Sequence, residues 1–225
     1  DDAERRGDRF TATTLSRAFN IVWLAAEGPD AARLQLRRAT WVPIESGFHL
    51  QHWYALRANA ELALYEGRVR EGFDDFSREL DRLHRSTLSR AVQAVRGEAL
   101  WLHGRLIVAL RKELKSPRRH RRKLARISRK LASEKGRRYL DAWSAMLRAS
   151  IAMVEDRRED ARLETVVAMG RCHETGMLLY ERSLRWAHGR VLGPLEGRAW
   201  RQDAISKLQR DGCLDPERVL SIYMP

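Results

Sequence analysis

The chain has 225 residues, 43 of them Lys or Arg and 30 Asp or Glu, for a formal net charge of +13; 44% of residues are hydrophobic and 32% charged. That apolar share excludes wholesale disorder, and the length suffices for a proper hydrophobic core. No stretch approaches the roughly 18 to 20 uninterrupted apolar residues of a membrane span, since even "ALWLHGRLIVAL" is broken by His103, Gly104 and Arg105.

Apolar residues recur at helical spacing nearly everywhere, and no segment sustains the alternation of a half-buried strand. The pattern predicts about ten helices, at 8–27, 29–40, 48–66, 68–85, 87–114, 117–135, 138–156, 158–174, 176–192 and 195–211, with a short helical turn after Asp215-Pro216. In the third, Trp53, Leu56, Ala60 and Leu64 form one stripe; in the fifth, Leu88, Val92, Val95, Ala99, Leu102, Leu106 and Leu110 do. Turn residues punctuate the chain at Gly28, Gly67, Ser116, Asp156 and Gly193, intervals of 39, 49, 40 and 37 residues. Such a period belongs to stacked helical hairpins, each too thin to bury its own apolar face. The expected fold class is therefore all-α: an array of antiparallel helical hairpins, a tetratricopeptide-like α-solenoid forming a single domain over 1–225.

Several turns share internal detail. Gly67 is followed by Gly72 and then Phe76, Asp156 by Ala161, and Pro194 by Ala199. A tiny residue there lets the second helix lie close against the first, and the later aromatic fills the groove between hairpins. Trp53, Trp101 and Trp143 precede their turns by 14, 15 and 13 residues, positions at which a large ring belongs to the core rather than to a ligand cage. Cys172 and Cys213 stand far apart with no CxxC and no zinc-finger histidines, and read as buried reduced thiols.

The charge is concentrated. Residues 111–138 hold 14 Lys or Arg and two Glu, a net of +12. Ser116 can cap a helix and Pro117 suits its first position. Leu124, Ile127 and Leu131 then share one side, with Ala125, Ser128 and Ala132 beside them. Arg118, Arg119, Arg121, Arg122, Lys123, Arg126, Arg129 and Lys130 cover the rest. An apolar seam beneath a wide basic face predicts an amphipathic helix that belongs to the stack. The face is either simply solvated or a dock for an acidic protein or peptide partner, or for an acidic segment of the parent protein. Nucleic acid is the less favoured partner, because no aromatic residues interleave the basic ones to stack bases.

The motifs of common chemistries are absent. There is no GxxxxGK[ST] phosphate loop, no GxGxxG fingerprint, no GxSxG or HExxH, and none of the kinase signatures HRD…N or DFG. His49 and His52, three apart in "FHLQHW", have no adjacent acid and read as polar packing or as a contact. The chain is expected to be no enzyme and to need no cofactor or metal. It opens "DDAERRGDRF", without an initiator Met or an apolar leader, and reads as a cytoplasmic fragment of something longer.

Three stretches resemble a known family. They are "HWYALRANAELALYEGRVREGF" at 52–73, "VRGEALWLHGR" at 95–105 and the terminal "RDGCLDPERVLSIYMP". They are similar to the C-terminal tetratricopeptide-like repeat region of large bacterial serine/threonine protein kinases. The pattern R-x-E-A-x-x-L-x-x-R falls on Arg96, Glu98, Ala99, Leu102 and Arg105. The terminal pattern falls on Gly212, Cys213, Asp215, Pro216, Arg218, Val219, Ile222 and Pro225, with Cys213 replacing an aliphatic residue and Val219 and Ile222 replacing methionines. The resemblance covers about 48–225 and implies a non-catalytic interaction or regulatory region behind an upstream kinase domain. Related arrays also terminate ATPase-type transcription regulators, where they sense effectors. No catalytic residue carries over. In such a stack the first helices line a groove for a protein or peptide, which makes His49, His52 and Arg57 candidate contacts. The basic face adds Arg118, Arg119, Arg121, Arg122 and Arg129.

Overall fold

The computed structural model describes residues 2–41, 47–111, 117–134 and 137–225. Among them the chain is all-α, with no strand. The helices are α1 (Asp2–Arg5), α2 (Arg9–Ala18), α3 (Asn20–Ala26), α4 (Pro29–Arg38), α5 (Leu50–Glu66), α6 (Val69–Arg85) and α7 (Thr87–Ala91). They continue as α8 (Gln93–Ala109), α9 (Pro117–Ala132), α10 (Arg138–Val154), α11 (Arg158–Glu174), α12 (Leu178–Leu192), α13 (Arg198–Arg210) and α14 (Pro216–Tyr223). Consecutive helices pack against one another in hairpins, α3 on α4, α5 on α6, α9 on α10, α10 on α11, and α12 on α11 and α13. The described residues group into two compact units, one of residues 1–96 with 212–215, the other of 97–211 with 216–225.

The turns lie where the sequence places them. Gly28, Gly67, Asp156 and Gly193 all have positive φ, at 89°, 74°, 52° and 95°. Asp156 is the informative one, because a side chain bearing a Cβ occupies the left-handed region there, as Asp tolerates better than most residues. The amide of Arg157 then reaches back to the Ala152 carbonyl at 3.0 Å. The same six-residue closure recurs after Gly176, where Met177 N–H bonds the Cys172 carbonyl at 2.9 Å. It satisfies carbonyls that the helix end would otherwise orphan. The expected turn near 116 and the Ser116 cap fall outside the described residues.

Two expected helices are broken. The segment 8–27 divides at Phe19 (φ −106°, ψ 21°). Beside the break, the buried Asn20 side-chain amide donates to the Ser16 carbonyl (3.2 Å) and to the Ala32 carbonyl (2.9 Å). A side chain that competes for a backbone carbonyl in this way loosens the helical ladder. The segment beginning at 87 divides at Val92, which is extended (φ −108°, ψ 97°). Ser86 Oγ caps the short α7 by accepting from the Ser89 amide. The break lifts Val92 off the predicted stripe, whose members Val95, Ala99, Leu102, Leu106 and Leu110 are buried.

In the first unit the core is Leu24, Ala32, Trp53, Phe76 and Leu83. In the second it centres on α10, whose residues from Leu140 to Ala152 are nearly all buried. Trp101 of α8 stacks on Trp143 of α10 with ring centroids 6.3 Å apart. Arg105 is buried between the Trp101 and Tyr223 rings and donates to the Ile222 carbonyl at 3.2 Å. The tryptophans before the turns are thus core, as expected. Gly72 and Ala161 are buried beside their first helices, but Ala199 is exposed. Close approach in the last hairpin is made by Gly197, where a Cβ would lie 1.7 Å from the Gly189 carbonyl oxygen.

Candidate functional site

Helix α9 is the amphipathic helix that the sequence implies. Leu124, Ile127 and Leu131 are buried against α10, with Ser128 between them. Ser128 and Ser144 of α10 bond each other's chain: Ser144 Oγ donates to the Ser128 carbonyl at 2.8 Å, and the two hydroxyls lie 3.0 Å apart. Ala125 and Ala132 stay exposed, so the seam is narrower than the pattern suggested. All eight Lys and Arg of α9 are exposed. Arg121 alone among them forms an ion pair with a described residue, its Nε 2.7 Å from Glu155. Arg118, Arg119, Arg122, Lys123, Arg126, Arg129 and Lys130 have no acidic partner among the described residues. Partial desolvation, reinforced by the charges of Arg119 and Arg126, lowers the Lys123 ammonium from its ordinary value.

Beside this face, α9 and α11 flank α10 and leave a groove of about 500 Å³. Its apolar lining is Ala125, Ile151, Ala152 and Leu163; Arg121, Arg129, Arg148 and Arg157 line it too, together with Asp160 and Glu164. Three of these guanidiniums already hold carboxylates. The Arg148 Nε lies 3.0 Å from both Glu164 oxygens, Arg121 pairs with Glu155, and Arg157 pairs with Glu155 at 2.8 Å and with Asp160. A second groove of about 720 Å³ adjoins it, between the end of α8, the start of α9 and the end of α10, with Ile107, Val108 and Val154 in its lining. Chemically, such a surface can bind carboxylates by charge and seat aliphatic groups by burial.

The other expected contacts lie in the first unit and have structural duties. His49 and His52 come together at the start of α5, their rings 5.7 Å apart. The His52 Nδ1 accepts from the His49 amide at 3.0 Å, and so satisfies a donor at the helix start. Desolvation, followed by the charges of His49, Arg82 and Arg17, lowers His52 below the usual imidazole range. Arg57 lies over the Tyr54 ring and donates to the Ala18 carbonyl at 2.6 Å, tying α5 to the end of α2.

Arg148, Arg157, Ile151 and Leu163 were not among the expected contacts. Arg148 and Glu164 are sixteen residues apart on neighbouring helices, and no local spacing marks them as a pair. Both cysteines are buried and unpaired, and burial, then the charge of Glu181, pushes Cys172 up to about 12. Among the described residues no group of three or more His, Cys, Asp and Glu is placed to hold a metal ion, and no helix is long and apolar enough to cross a membrane. Comparison with protein-family models, curated proteins and solved structures gave no match to this chain.

Proposed function

We propose that this chain is a non-catalytic docking scaffold that holds an acidic segment of a protein partner on the basic face of α9. The observation that carries the reading is the seven exposed cations of α9 without an acidic partner among the described residues. Arg118–Arg122, Arg122–Arg126 and Arg126–Lys130 are each four residues apart on one helix, where like charges repel by about 0.2–0.5 kcal/mol per pair. A carboxylate-bearing partner relieves that repulsion. The apolar groove lining beside the face, and the lack of any Phe, Tyr or Trp in α9, favour a protein over a nucleic acid.

The resemblance of residues 48–225 extends the proposal to the regulatory region of a serine/threonine protein kinase. A glycine loop and HRD motif upstream in the full gene product supports that parentage; a phosphate loop there transfers the chain to the ATPase-type regulators instead.

Fluorescence anisotropy with a labelled glutamate-rich peptide tests the docking. Wild-type protein is expected to bind with an affinity that falls as salt rises, and R118E/R119E/R122E is expected to lose at least about tenfold, the effect of roughly 1.4 kcal/mol. Absence of binding by wild type at 50 mM salt, or tighter binding of a duplex oligonucleotide of equal charge, contradicts the proposal.

A further inference from the structure

Helix α11 has an outward face that a solvated helix does not need. Leu163, Val166 and Val167 are 67%, 53% and 44% exposed, and their spacing puts them on one stripe that runs on to the exposed Gly170. A single exposed aliphatic residue is ordinary, but three adjacent ones on one helix mark a contact surface. Leu163 also lines the groove with Ala125, Ile151 and Ala152. The stripe therefore meets the groove at Leu163, and on the α9 side the same groove is lined by Arg129 and by Arg121, the latter paired with Glu155. One continuous surface is apolar along α11 and cationic along α9.

We infer that this surface receives an amphipathic acidic helix, its aliphatic side on Leu163, Val166 and Val167 and its carboxylates toward α9. The inference rests on the docking reading and specifies the form of the partner. Charge complementarity selects the occupant. A second copy of this chain brings a further +13 and is repelled. A nucleic acid strand has phosphates for α9 but no aliphatic side for α11. A plain polyacidic peptide satisfies α9 and leaves the stripe in water. A helix with leucines at i, i+3, i+4 and i+7 and glutamates on its other face satisfies both.

Two synthetic peptides of equal length and charge test this. One carries three leucines on a single helical face among glutamates; in the other the leucines are serines. Binding to the 225-residue protein is read by anisotropy, and peptide helicity by circular dichroism. The leucine peptide is expected to bind at least about tenfold tighter, the effect of burying one or more leucine side chains, and to gain helicity on binding. L163Q, a neutral change at an exposed position that leaves both the core and the charge of the surface intact, is expected to erase that difference and leave the serine peptide's affinity within about twofold. Equal affinity of the two peptides, or an L163Q variant that still prefers leucine, overturns the inference while the docking reading stands. Failure of both peptides to bind removes the docking reading itself.

Discussion

His188 shows how a buried polar residue is accommodated in this stack. Its Nδ1 lies 2.7 Å from the Thr165 hydroxyl, which joins α12 to α11, and its ring meets Trp200 edge-on at 4.9 Å. Desolvation, and then the charge of Arg162, lowers its pKa below the ordinary imidazole value of 6.5. The unfolded chain therefore takes up a proton at a higher pH than the folded chain does. Stability from this residue is fully present above about pH 6.5, and is lost as pH falls from there through the folded pKa. Urea unfolding midpoints of wild type and H188Q between pH 8 and pH 5 check this: the wild-type midpoint is expected to fall more steeply, and parallel profiles contradict it. His52 acts with the same sign, because it too is lowered by desolvation.

At the scale of the element, α9 is held by its seam and strained by its charge. The buried Leu131 and the Ser128–Ser144 bonds fix it to α10. Arg122 meanwhile sits four residues from both Arg118 and Arg126. R122Q removes these two i,i+4 repulsions and is expected to raise stability by about 0.4–1 kcal/mol at low salt. The gain should shrink as salt screens the helix. Thermal unfolding at 20 and 300 mM salt measures it. A destabilised variant shows instead that Arg122 makes a favourable contact, and that the face is not a stored repulsion. The same substitution is expected to weaken acidic-peptide binding, so stability and binding move in opposite directions.

The helices were legible in the sequence because an apolar face repeating every 3.6 residues must be buried, and glycine, proline and aspartate mark where that burial reverses direction. Gly67, Asp156 and Gly193 show this, each with positive φ at a turn. The breaks at Phe19 and Val92 have no such residue. At Phe19 the accompanying signal is a tertiary one, Asn20 reaching Ser16 and Ala32. The basic face was legible for a similar reason, since Leu124, Ile127 and Leu131 repeat regardless of what α9 packs on. The groove was not. It joins residues of α9, α10 and α11 whose proximity depends on how three helices pack, and Arg148 with Glu164 is the clearest example. For the same reason Gly197, rather than Ala199, makes the close approach in the last hairpin.

Over the whole chain the charge is uneven. Residues 111–138 hold +12 of a total of +13, so the remaining sequence is close to neutral and one region dominates the long-range field. On the proposed function, such a distribution would steer the acidic partner to one place and raise its association rate. If α9 binds by charge complementarity, as proposed, then exchanging its charge exchanges its ligand. Wild type and R118E/R122E/R126E are each titrated with a glutamate-rich peptide and its lysine-rich counterpart. Wild type is expected to bind only the glutamate peptide, and the reversed variant to prefer the lysine peptide. A reversed variant that holds the glutamate peptide as tightly as wild type does would contradict the proposal.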